Sequence, residues 1–191
     1  MNRILRPPRL AALIPLLLVA LYPLTPRAQD PAESIRRRLA EDQRQPNTAA
    51  LDFAWPHLDS PDATLREAAR RVIEAQPFES WKARALEEKS TWASLEALRA
   101  LAEACPPAQA AELSPHLCEQ ITTLRLEHMD AAQQLASIRV TRLVFLRLGP
   151  VSEDERRQML DLWSHFQPLP PAAEELRGLL RFLGTVRTRR S

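Results

Sequence analysis

The stretch from Trp55 to Ile73 constrains the fold of this chain more than any other part of the sequence. It reads as a short apolar segment, a Ser-Pro-Asp turn and then a helix with one apolar face. A helical pair of this kind cannot bury its apolar stripe alone and needs neighbours on both sides. The stripe occupies positions i, i+3, i+4, i+7 and i+8 of an amphipathic helix, which are Leu65, Ala68, Ala69, Val72 and Ile73. The stretch therefore predicts a stack of helical hairpins.

Prolines divide the rest of the chain into similar short units. No segment alternates with a period of two and β-branched residues are sparse, so we expect no sheet. Capping and stop signals predict nine helices, at about 30–44, 49–58, 62–76, 77–86, 91–104, 114–124, 131–148, 153–166 and 172–183. The helix at 131–148 is apolar around most of its circumference, and we expect other helices to flank it at the centre of the core. The fold class indicated is all-α, a short right-handed α-solenoid of about nine helices.

Residues 1–28 have the pattern of a secretory signal peptide. Arginines open the segment, and an apolar run from Leu10 to Thr25 follows. Ala28 suits a cleavage site but Pro26 does not, so an uncleaved membrane anchor is the alternative. We expect a periplasmic or secreted protein, or one that this segment holds on the membrane. The remaining divisions are an N-terminal helix and linker at 29–50, a helical repeat domain at 51–184 and a basic disordered tail at 185–191.

The charge balance argues against nucleic acid as a partner. The leader holds four arginines and no acidic residue, which leaves 22 basic against 24 acidic groups in the rest of the chain. Counterion-driven binding to nucleic acid needs a basic surface. Many arginines also follow a glutamate by one turn, a spacing typical of solvated helix faces.

Three segments resemble a HEAT-like helical repeat block found in large exported bacterial proteins. They are WPHLDSPDATLREAARRVIEAQPFESWKARALEE, SIRVTRLVFLRLGPVSEDERRQMLDLW and PPAAEELRGLLRFL, within about residues 51–184. In those proteins the block often lies between a propeller-like, dehydrogenase-type domain and a c-type cytochrome domain. The resemblance implies a helical-repeat fold, and its motifs carry packing and turn residues without catalytic ones. No CxxCH motif for covalent haem attachment is present in this sequence.

The sequence offers no catalytic, cofactor or metal site. The four histidines are scattered without an i, i+4 pair, and neither a nucleophile elbow nor a glycine-rich phosphate loop occurs. Cys105 and Cys118 lie where neighbouring antiparallel helices would bring their ends together, so a disulfide is one interpretation. Two buried free thiols, which behave as small apolar residues, are the other.

We expect a non-catalytic scaffold that binds a protein or peptide partner on a concave face lined by the second helix of each pair. The candidate contacts on that face are Arg66, Arg70, Arg99, Arg139 and Arg142. Among the four tryptophans, which core packing or partner binding could explain, Trp92 is expected to be the most exposed. The alternatives are an accessory subunit of an envelope electron-transfer or dehydrogenase complex, and a truncated remnant of such a multidomain protein.

Overall fold

The computed structural model describes residues 31–45 and 47–188, and the prediction of an all-α fold is confirmed there. This part of the chain holds nine α-helices and no strand beyond an isolated backbone bridge between Val151 and Thr188. The helices are α1 Pro31–Asp42, α2 Thr48–Ala54, α3 Ala63–Glu74, α4 Lys82–Leu86, α5 Thr91–Ala104, α6 Ala110–Thr123, α7 Ala131–Arg147, α8 Glu153–His165 and α9 Pro170–Thr185. The leader interpretation for residues 1–28 falls outside the described residues. Across the described ranges, no helix combines the length and apolar character that crossing a membrane requires.

The helices pack in two rows, with every second helix in the same row. Helices α1, α3, α5, α7 and α9 contact one another in that order and form the first row, while α4, α6 and α8 form the second. The short α2 and the 3₁₀ turn Trp55–Asp59 pack against α3, and the same turn reaches α5. The core lies between the rows, where the fully buried side chains include Trp81, Ile121, Ile138, Met159 and Trp163.

The amphipathic pattern of the opening stretch is confirmed in α3. Leu65, Ala69, Val72 and Ile73 are buried, with Ala68 partly buried beside them. The helix begins where the sequence indicates, because the Asp62 carboxylate accepts hydrogen bonds from the Thr64 backbone N–H at 2.8 Å and the Thr64 hydroxyl at 2.7 Å.

Three helix boundaries differ from the prediction. The helix expected at 77–86 divides into the 3₁₀ turn Phe78–Ser80 and the short α4, because the Trp81 backbone, with a φ of −133°, leaves the helical conformation between them. The helix expected at 49–58 ends at Ala54 and continues as the 3₁₀ turn Trp55–Asp59, since Pro56 has no N–H for the α-helical ladder. The helix expected from residue 114 begins at Ala110, with Pro115 inside it. The alanine-rich sequence before Pro115 favours the helix strongly enough to start it a turn earlier.

The connections between helices are fixed by specific bonds. Gly149, with a φ of 78°, follows α7 and ends it as predicted. The buried Gln134 side chain accepts the Leu169 N–H at 2.8 Å and donates to the Met129 carbonyl oxygen at 3.2 Å, which ties the start of α7 to the start of α9.

The end of the chain is attached to the fold further than the tail interpretation for 185–191 expected. Thr185 is the last residue of α9, and Val186 packs against the core. Val186 N–H also donates to the Phe182 carbonyl oxygen at 3.0 Å. Because Thr188 forms the bridge with Val151, the described part of this segment lies against the start of α8.

Helix α7 has neighbours on most of its circumference, as its composition predicts, but one side is open. It packs against α5, α6 and α9, and Ile138 and Val144 are fully buried. Leu135 and Leu143, however, are only partly buried, and Leu146 is 57% exposed. The expectation that other helices flank α7 is therefore confirmed, and the side that carries these leucines is the one that its neighbours leave open.

Candidate functional site

The open side of α7 faces a groove whose other walls are α3 and α5. We call this cavity of about 550 Å³ the inner groove. Its lining residues come from three consecutive helices of the first row, which are Ala63, Arg66, Glu67, Trp92, Leu95, Glu96, Arg99, Glu103, Ala132, Leu135, Ala136, Arg139, Val140 and Leu143. The volume is typical of a pocket that binds a small ligand or a few side chains of a partner.

The α7 wall of the inner groove is mostly apolar but contains one arginine. Its residues recur at i, i+3, i+4, i+7, i+8 and i+11, counted from Ala132, and the i+7 position is the exposed Arg139. Leu135 and Leu143 are partly buried two turns apart, with Arg139 between them and the small Ala132 and Ala136 beside Leu135. A partner helix or strand can approach closest at such small residues.

Trp92 forms an aromatic part of the α5 wall. The other three tryptophans are buried, so the expectation that Trp92 is the most exposed is confirmed. The guanidinium carbon of Arg66 lies 3.6 Å from the centroid of the Trp92 ring, a distance typical of a cation–π contact. This contact fixes the orientation of the ring at the edge of the groove.

A buried network of charges lies behind this wall. Arg66 donates from Nη1 to the carbonyl oxygens of Ser60 at 2.7 Å and Pro61 at 3.1 Å. Glu96 lies between two arginines, with Arg66 Nε at 3.6 Å and Arg70 Nε at 3.3 Å. Arg70 also pairs with Glu74 of its own helix. These pairs are close ion contacts, and the carboxylate of Glu96 compensates two guanidinium groups that would otherwise be buried without a counter-charge.

The structure corrects the expected roles of Arg66 and Arg70. They are only 7% and 5% exposed, so neither can act as a freely accessible contact for a partner. The sequence predicts them as partner contacts because they lie opposite the apolar face of their helix. Instead α5 packs across that face and Glu96 enters it, so both arginines hold the groove wall in place.

The other three candidate arginines are exposed, and two of them line the inner groove. Arg99 and Arg139 lie on its α5 and α7 walls. Arg142 points instead towards α9, where its guanidinium carbon is 5.5 Å from the Phe182 ring centroid. The structure therefore brings Arg66, Arg99 and Arg139 together, with Arg70 behind them and Arg142 outside.

The charges around Glu74, which pairs with Arg70, shift its pKa. Burial raises the pKa of Glu74, while the nearby Arg70 and Arg99 reduce that rise. Glu103, which carries a like charge, raises it further. Arg99 thus influences Glu74 electrostatically, but Arg70 is the residue that Glu74 binds.

Cys105 and Cys118 are free thiols in the structure, so the disulfide interpretation is not realised. Cys118 is buried in α6, and burial together with the nearby Glu155 charge raises its pKa to about 12. Cys105 is partly buried at the end of α5, and burial raises its pKa as well. Neither thiol is activated as a nucleophile, because nucleophilic cysteines need a lowered pKa.

A cavity of about 650 Å³ lies on another side of α5, next to the end of α6. The Glu88 carboxylate, which lines this cavity, already accepts hydrogen bonds from other groups of the chain. The carboxylate accepts the Trp55 Nε1–H at 2.8 Å and the backbone N–H groups of Lys89 at 2.8 Å and Ser90 at 2.9 Å. These bonds fix the turn that precedes α5, so the Glu88 carboxylate is already satisfied within the chain.

No cluster of three histidine, cysteine, aspartate or glutamate side chains suited to a metal ion occurs within residues 31–45 and 47–188. No family model, curated protein or solved structure matches this chain. The inner groove is therefore the feature of the fold from which a function can be inferred.

The sequence alone did not reveal the apolar half of this site. A helix that is apolar around most of its circumference predicts core residues on every side, Leu135 and Leu143 included. The available signal was the position of Arg139 and Arg142, which are exposed and lie on the same side of α7 as these leucines.

Proposed function

We propose that this protein is a non-catalytic helical-repeat scaffold that binds a segment of a protein partner in the inner groove. The observation that carries the proposal is the α7 wall of the inner groove, where Leu135 and Leu143 are only partly buried and the exposed Arg139 lies between them. Apolar surface left open beside charged residues is typical of interaction sites. The proposal includes the HEAT-like α-solenoid interpretation, in which successive helices of one row line a binding face.

The walls of the inner groove support this function because they are held before any partner binds. Arg66 fixes the Trp92 ring, and Glu96 fixes Arg66 and Arg70. Preorganised side chains lose less conformational entropy on binding, which leaves more of the contact energy for affinity. Tryptophan and arginine are also the residues most enriched at interaction hot spots.

Site-specific photo-crosslinking tests the proposal. A photoreactive amino acid at Ala136 would lie inside the inner groove, and one at the exposed Gln158 on α8 would serve as the control. We expect a discrete crosslinked partner from Ala136 in native cells and none from Gln158. Leu143→Asp, which places a charge on the apolar stripe, should abolish the Ala136 product.

Equal crosslinking from both positions, or an Ala136 product that Leu143→Asp leaves unchanged, would contradict groove binding. The proposal also includes export through the segment at residues 1–28. Cell fractionation with an antibody against the folded chain tests that part, since a cytoplasmic pool alone would be inconsistent with it.

A further inference from the structure

The charged side chains that line the inner groove are neutralised within the chain, with one exception. Glu67 binds Arg71 at 2.5 Å, and Glu103 accepts from Arg147 Nε at 3.0 Å. The remaining pairs join Glu96 to Arg66 at 3.6 Å and Arg139 to Glu175 at 3.6 Å. Arg99 makes no salt bridge within the part of the chain that the structure describes, although it lies on the middle wall of the groove.

A partner that covers the inner groove must remove water from Arg99. An arginine that loses its water without gaining a counter-charge weakens a complex, whereas one that meets a carboxylate can form two parallel hydrogen bonds. Glu74 cannot supply that carboxylate, because it is bound to Arg70. The compensating acid therefore has to come from the partner.

The shape of the α7 wall indicates the form of the partner segment. The α7 wall from Ala132 to Leu143 contains twelve residues, which span about 16 Å of helix. The small Ala132 and Ala136 allow a second helix to lie close to the first half of this wall, while Leu135, Val140 and Leu143 supply its apolar surface. Amphipathic helices enter such grooves with apolar anchors at i, i+3, i+4 and i+7.

We propose that the occupant of the inner groove is an amphipathic helix of a protein partner that places a carboxylate against Arg99. Its apolar face lies on Leu135 and Leu143, and its acidic side chain, one turn from those anchors, forms the missing salt bridge. This inference rests on the proposed function and adds to it the chemistry by which the partner is recognised.

A displayed library of amphipathic helices tests the inference. Leucines are fixed at i, i+3, i+4 and i+7, and the flanking positions are randomised. The library is selected in parallel on the wild-type chain, on Arg99→Glu and on Arg125→Glu. Arg125 is a matched control, because it is exposed, lies outside the inner groove and makes no salt bridge within residues 31–45 and 47–188.

We expect the wild-type and Arg125→Glu selections to enrich an acidic residue at one flanking position. The Arg99→Glu selection should lose that residue and enrich lysine or arginine there. A selected acidic peptide should bind Arg99→Glu and Arg99→Gln at least about tenfold more weakly than it binds the wild-type chain, as expected for loss of a charge-assisted hydrogen bond. Arg99→Gln is the control for misfolding, because it removes the positive charge without adding a negative one beside Glu74 and Glu103.

The outcomes separate the two proposals. Peptides that lose binding with Leu143→Asp but show the same charge preference on wild-type and Arg99→Glu chains would overturn the role of Arg99 and leave groove binding intact. Selected peptides that bind the Leu143→Asp chain as well as the wild type would overturn groove binding itself.

Discussion

At the scale of single residues, the buried arginines explain how a charged helix face becomes a wall of the site. The sequence predicts that Arg66 and Arg70 are accessible to a partner, and on the same helix Glu67 and Arg71 do form an exposed pair. Arg66 and Arg70 do not, because Glu96 of the next helix in the row lies between them. The i, i+4 spacing describes contacts within one helix, so it cannot predict that a carboxylate of another helix lies next to these arginines.

Glu96→Gln tests this network. The variant leaves two buried arginines with reduced compensation, and we expect the free energy of unfolding to fall by about 3 kcal/mol. Glu67→Gln removes an exposed pair of the same groove and should cost less than about 1 kcal/mol. Urea unfolding followed by tryptophan fluorescence measures both. An equal decrease in the free energy of unfolding for the two variants would show that Glu96 stabilises the fold no more than an exposed pair does.

The stability of the fold depends on pH through the carboxyl group of Asp62. Hydrogen bonds from the Thr64 side chain and backbone, followed by one from Arg36, lower the pKa of this carboxyl from 3.8 to about 2. Because its folded-state pKa is lowered, its stabilisation is complete above pH 3.8 and is lost as the pH falls towards 2.

The variant Asp62→Ala tests that dependence. We expect it to be less stable than the wild type at about pH 6, with the difference shrinking as the pH falls through the range in which Asp62 gains its proton. Urea unfolding of both proteins at a series of pH values measures the difference. If the difference in the free energy of unfolding between the two proteins stayed constant down to the lowest pH, the ionised form of Asp62 would not be what stabilises the fold.

At the scale of helices, the sequence contains most of what defines each element. Asp62, Asp130 and Ser152 cap the helices that they precede, and Gly149 ends α7. Two of the boundaries that differ lie next to Pro56 and Pro115, where a 3₁₀ turn or an alanine-rich start competes with the expected pattern. The third lies at Trp81, where the backbone leaves the helical conformation and divides the helix expected at 77–86. The open side of α7 was not predictable, because it depends on how far α5 and α9 reach around the helix.

Two substitutions in α7 distinguish its buried side from its open side. Ile138→Ala removes a fully buried side chain and should lower the free energy of unfolding by about 2–5 kcal/mol. Leu146→Ala removes an exposed one and should change it by about 0.5 kcal/mol or less. Thermal and urea unfolding measure both values. A large loss for Leu146→Ala would show that a neighbour within the folded chain covers this side.

At the scale of the whole molecule, the buried residues form one continuous cluster from Leu39 to Leu183. Each helix of the first row contacts the next, so the cluster continues across every pair of neighbouring helices in that row. The nine helices and the absence of a sheet within the described residues were predicted from proline spacing and apolar periodicity. The partner was not, because no pattern in the sequence specifies it.

A chain beginning at residue 29 should therefore unfold in one cooperative transition. We expect circular dichroism and tryptophan fluorescence to report coincident melting curves, since the four tryptophans lie in different helices and turns of the same cluster. Gradual melting without a transition would instead support the interpretation of the chain as a remnant of a larger protein. Separate transitions for the two probes would divide the cluster into independent parts.

The most direct measurement of the central claim is hydrogen exchange of the chain with and without the partner crosslinked through Ala136. Binding in the inner groove should slow amide exchange in α3, α5 and α7 and leave α6 and α8 unchanged, because the groove is lined by the first row alone. Protection confined to α6 and α8, or none in α7, would contradict the assignment of the inner groove as the binding site.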